Sequence, residues 1–230
     1  MHPLVVALLV SLVATALSRW TPAEHAASLV GATFLLATFL LVPSERAQRY
    51  GLGFAGWLEP TPIDWTRTRR DCARACTWSL GAALLLFPPF TWGFVAWYEP
   101  GVEFSWQRAM LDLPVAWYDL LLGHLLVVAL PEEAFFRGYL QSALDERWSG
   151  PVRFAGFELG HAVWITSLLF AAGHYAATPH PARWAVFFPS LVFGALRART
   201  GGIGAGVLSH ALCNVYSALL ASGYGFETAR

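Results

Sequence analysis

The segment LLLGHLLVVALPEEAFFR, residues 120–137, decides the fold. It is apolar up to Leu130, then places Pro131 before two adjacent carboxylates, Glu132 and Glu133, with Arg137 four residues on. The apolar pattern runs from about Pro114 to Arg147, longer than the roughly 20 residues that cross a bilayer. Pro131 predicts a kink, because its ring clashes with the preceding turn. An acid at the bilayer centre costs about 3 kcal/mol on translocon scales, so something must compensate for two of them. On a helix Glu133 and Arg137 share a face and pair. Glu132 points about 100° away and has no partner within the segment. The expectation is a division of labour, with Glu133 and Arg137 structural and Glu132 the working group. The plainer alternative is that both acids reach an aqueous interface.

The rest of the chain reads the same way. Of 230 residues, 56% are hydrophobic and 13% charged, about half the charge that a soluble domain carries. Such a surface suits lipid. The net charge is zero, which argues against nucleic acid as a partner. Every basic residue is arginine, which reads as the mark of a GC-rich genome rather than of a mechanism. Trp20, Trp57, Trp97, Trp117, Trp148 and Trp184 fall near the ends of apolar runs, where an indole sits well at headgroup level. Cys72, Cys76 and Cys213 cannot form a complete disulfide set and read as small apolar fillers.

Apolar runs predict helices at about 4–18, 26–42, 73–97, 115–146, 157–176, 182–197 and 202–222. The expected fold class is therefore all-α, a polytopic transmembrane bundle of about seven helices in one domain, 1–230. The first run has no basic leader and no small-x-small cleavage site, so it reads as a retained helix. Residues 1–98 supply N-terminal helices around a basic loop at 43–72, and 115–222 form the core. The arginines of that loop (Arg46, Arg49, Arg67, Arg69, Arg70) place it in the cytoplasm. The stretch Glu99–Asp112 is then external, with Arg147, Arg153, Arg197 and Arg199 cytoplasmic again.

Two further motifs carry chemistry. Phe170 and His174 lie one turn apart in a strongly apolar run, as do His210 and Asn214 after a glycine-rich approach, 201–206. Each alone has a bland reading, a histidine bonded to a backbone carbonyl or a polar pair joining two helices. Together they put one free carboxylate, two imidazoles and an amide on three helices. Glutamate with histidine can deprotonate water, and histidine with asparagine can stabilise an oxyanion. Alternatively, Glu132, His174 and His210 are a possible zinc ligand set.

The order EExxxR, FxxxH, HxxxN, here Glu132-Glu133 to Arg137, Phe170 to His174 and His210 to Asn214, resembles the CPBP intramembrane proteases. That group holds the CAAX-prenyl endopeptidases and bacteriocin-processing or immunity proteins. The resemblance covers about Leu120 to Leu220. It implies an endopeptidase in which Glu132 activates water with help from His174. His210 and Asn214 would stabilise the oxyanion, Glu133 and Arg137 would support the site, and Phe170 would pack it. It leaves a metal-dependent mechanism open beside a metal-free one. The implied partner is a membrane-bound protein or peptide, in one version a sorted protein losing its C-terminal helix. The implied location is a bacterial inner membrane. Two rival readings are an idle scaffold or immunity protein of the same fold and a haem protein. For the latter, His161 and His174 are thirteen residues apart, a rise of about 20 Å, with His124 and His210 as partners.

Overall fold

The computed structural model describes residues 1–53, 63–98, 117–148, 151–154 and 157–224. Helix α1 (Pro3–Trp20) begins with proline in its first turn, where no N–H is missed, and the His2 ring accepts from Leu4 N–H. A two-residue turn reverses the chain into α2 (Ala23–Leu41). Helix α3 spans Trp65–Tyr98 and holds Pro88 and Pro89. Helix α4 is continuous over 117–145 but alternates α and π geometry. A short antiparallel hairpin follows, β1 (Pro151–Phe154) against β2 (Phe157–Gly160). Then come α5 (His161–Ala177), a 3₁₀ turn at Pro181–Val186, α6 (Phe187–Thr200) and α7 (Gly204–Gly223). The all-α bundle is what the apolar runs predict, with the hairpin as an addition.

Two boundaries differ from expectation. The basic segment 43–72 is not loop throughout, because α3 starts at Trp65. The Asp64 carboxylate accepts from the N–H groups of Thr66 and Arg67 and caps the helix there, while Arg67 pairs with Asp71 one turn on. The fifth helix starts at His161 rather than 157, since residues 157–160 are paired as β2. Residues 115–116, Trp57 and the stretch Glu99–Asp112 lie outside the described residues.

Helices α1, α2, α3 and α7 are each long and apolar enough to cross a membrane. Their outer faces present Leu8, Leu12, Leu36, Leu40, Leu84 and Leu85, the surface that hydrocarbon covers. The protein is an integral membrane protein. Inside, Ala129, Ala134, Phe135, Leu140, Ala162, Phe170 and Ala211 form the main core. Small residues set how closely helices approach: a Cβ on Gly31 of α2 would stand 2.5 Å from the Val127 carbonyl oxygen of α4. Helix α3 packs along α7, where Ser79 donates to the Ala205 carbonyl at 3.0 Å and Phe87 stacks on Tyr216.

A clasp joins four helix ends. After α2 the chain turns through Gly51 at φ 71°, whose carbonyl accepts from Ile203 N–H at 3.1 Å. Arg197 donates to the Arg49 carbonyl and to Ser142 Oγ, while Tyr50 donates to Glu146. Burial, with Glu146 beside it, pushes the Tyr50 hydroxyl up from the usual tyrosine pKa and keeps it a donor. The ends of α2, α4 and α6 and the start of α7 are thus held at one end of the bundle.

Candidate active site

Pro131 supplies no N–H to the α4 ladder, and π turns flank the acidic pair on both sides, at Gly123–Ala129 and Ala134–Gln141. Such i→i+5 turns are rare and concentrate at functional sites.

Glu133 and Arg137 are each 0% exposed. Their ion pair measures 3.0 Å between Arg137 Nη1 and Glu133 Oε1. Arg137 Nη2 also donates to Ser190 Oγ at 2.6 Å and to the Ser190 carbonyl at 3.1 Å. Its guanidinium carbon lies 4.7 Å from the centre of the Phe170 ring and 5.6 Å from that of Phe193. A charge buried this deeply survives only when hydrogen-bonded and paired, and this one is both.

Helix α7 brings His210 against the same pair. Its Nδ1 lies 3.0 Å from Glu133 Oε1, and since an ionised carboxylate only accepts, Nδ1 is the protonated nitrogen there. Its Nε2 lies 3.7 Å from Glu132 Oε2. The imidazole stacks on Phe193, with Phe170 edge-on. Gly206 permits this approach, because a Cβ there would meet Glu133 Oε2 at 3.0 Å. So Glu133 holds Arg137 and His210 together, and His210 bridges the two glutamates.

On α5, His174 Nδ1 lies 3.0 Å from the Phe170 carbonyl oxygen. A carbonyl only accepts, so Nδ1 donates and Nε2 keeps a free lone pair. Glu132 and His174 line one cavity of about 570 Å³, between α1 and α2 on one side and α4 and α5 on the other. Asn214 is half-buried one turn beyond His210, and its side chain makes no hydrogen bond among the described residues. His161 is exposed at the start of α5, outside the site.

A zinc ion would need Glu132, His174 and His210 to converge. Among the described residues no three side chains of His, Cys, Asp or Glu do so. The arrangement therefore does not fit a ready-made three-ligand site, and the chemistry below uses none.

Three neighbours of the site are not legible from the sequence: Ser190, Phe193 and Arg183. Ser190 and Phe193 on α6 close round Arg137 and His210, but the run FFPSLVFG reads as plain core. His124, named above only as a haem partner, carries a buried Nδ1 without a partner among the described residues. Arg183 lines the cavity from the turn after α5; a single arginine beside a tryptophan reads as an interfacial anchor.

Residues 114–216 match the family model described as type II CAAX prenyl endopeptidase Rce1-like. Compared with curated proteins and with solved structures, the chain finds no match.

Proposed function

We propose that the chain is an intramembrane endopeptidase that cleaves a membrane-associated protein or peptide by a glutamate-activated water, a reading supported by the match of residues 114–216, the segment that carries the site, to the Rce1-like CAAX prenyl endopeptidase model. The observation that carries the reading is the division between the two acids. Glu133 is committed to Arg137 and His210, whereas Glu132 has a buried Oε2 without a hydrogen bond and borders the cavity.

In the reaction a water is held between the Glu132 carboxylate and His174 Nε2. Glu132 takes one proton as the water oxygen attacks the scissile carbonyl carbon. In the reacting state His210 is doubly protonated, with Nδ1–H held on Glu133, and the oxyanion receives hydrogen bonds from its Nε2–H and from the Asn214 amide. The proton then passes from Glu132 to the leaving nitrogen as the C–N bond breaks, which returns Glu132 to its starting charge. Phe170 and Phe193 keep bulk water from the ion pairs beneath. The proposed setting is a bacterial inner membrane, and a C-terminal sorting helix is one substrate of the right kind.

Replacing Glu132 by Gln preserves shape and removes the base. Its expected effect is a loss of between about 10² and 10⁴ in turnover, with thermal stability unchanged. The measurement compares the C-termini of membrane proteins, by mass spectrometry, in cells carrying either protein. Identical termini in both would sink the protease reading and favour an idle scaffold.

A further inference from the structure

The cavity beside Glu132 and His174 has a feature that the hydrolytic scheme does not use. Some membrane hydroxyls of the bundle are satisfied by their own helix, as Thr33 donates to Leu29, Thr38 to Phe34, Thr77 to Ala73 and Thr91 to Phe87, while Thr166, Ser167 and Ser209 are buried without a partner among the described residues. Ser11, Thr15, Ser18, Thr21 and Thr178 line the cavity, and among the described residues none of them makes a hydrogen bond through its side chain. Arg183, half-buried on the same wall, likewise has no ion pair and no side-chain hydrogen bond among the described residues.

A guanidinium is always charged and offers a planar set of donors that matches a carboxylate. Uncommitted hydroxyls suit a peptide backbone, whose N–H and C=O groups need partners once unwound. A lipid chain would have no use for either.

We propose that Arg183 is an anion-recognition residue, which receives a carboxylate of the bound peptide while the hydroxyl-bearing wall of α1 holds the unwound backbone. This rests on the endopeptidase reading and adds a specificity rule: the substrate carries a carboxylate, its chain terminus or an acidic side chain, within the cavity's reach of the scissile bond.

The test measures retention on full-length, detergent-solubilised Glu132→Gln protein, so that binding is read whether or not hydrolysis occurs. The probes are N-acetylated apolar hexapeptides, each made as free acid and as C-terminal amide. A second set of amides carries one internal Glu or Gln. Members with a carboxylate should be retained about tenfold or more over neutral counterparts, the least expected of a charge-assisted hydrogen bond. Adding Arg183→Gln should erase that preference, and adding Arg183→Lys should keep part of it, which separates lost charge from lost folding.

A preference for acid over amide assigns the chain terminus, and one for Glu over Gln the side chain; either supports the proposal. Equal retention of charged and neutral members by the Glu132→Gln protein overturns it. So does co-purifying phospholipid that disappears with Arg183→Gln while peptide selectivity stays, because the guanidinium then belongs to the membrane. Selective binding without hydrolysis by the wild-type protein would leave the anion site standing and remove the protease reading.

Discussion

Arg137 tests how far one residue organises the site. It is the cation that offsets two neighbouring acids, at 0% exposure, and it donates twice to Ser190. Arg137→Ala leaves Glu133 buried with only His210 opposite. The expected cost is about 3–5 kcal/mol, read as a lower melting temperature in detergent rather than as a selective loss of turnover. Arg137→Lys keeps the charge but cannot reach Glu133 and both Ser190 oxygens from one planar group, so it should fall in between. This residue-scale division is legible in the sequence itself: the spacing of Glu133 and Arg137 forces the pairing, and Glu132 is left over by helix geometry. What spacing cannot convey is that Glu133 also holds His210, since that contact crosses 77 positions of sequence.

At the scale of elements, glycine substitutions separate close approach from empty space. Gly31→Ala drives a Cβ toward the Val127 carbonyl oxygen, a backbone atom that cannot swing away. Helix α2 must then shift off α4, at an expected cost of about 1–3 kcal/mol. Gly81→Ala on α3 meets nothing within 4 Å. It should stabilise by up to about 1 kcal/mol by removing helix-interior glycine. Thermal unfolding of the two variants side by side checks both signs. Helix positions are readable to within a few residues wherever an apolar run meets a clear stop. The limits that differ have local causes. The start of α3 hides inside an arginine-rich stretch, because Asp64 caps it and Arg67 pairs with Asp71. The start of α5 is masked by β2, four residues whose pairing no helical periodicity reveals. The π turns of α4 leave no mark in composition at all.

For the whole molecule, the decisive asymmetry is where the arginines sit. Arg46, Arg49, Arg67, Arg69, Arg70, Arg74, Arg147, Arg197 and Arg199 cluster at the clasped end, and among the described residues only Arg19 and Arg183 lie toward the other. The excess predicts that the clasped end is cytoplasmic. Cys72 and Cys76 are free and exposed at that end, so a membrane-impermeant maleimide should label them only in permeabilised cells. A Thr178→Cys variant should react in intact ones; the reverse pattern would invert the topology. Helix limits drawn from apolar runs alone set His174 nearer the outer end than Glu132. The two depths agree because α5 begins at His161 and runs antiparallel to α4, which sets Glu132 and His174 at matching distances from the shared end.

The cavity runs from Glu132 to Thr21 at the turn between α1 and α2 and to Arg183 at the turn after α5, and it takes no lining from the clasp. With the clasp in the cytoplasm, its mouth meets the far leaflet. Anything cut there leaves a fresh end on the outside of the cell, in reach of enzymes that never meet cytosol. A charged peptide too polar to cross the bilayer should therefore block turnover when simply added to intact cells.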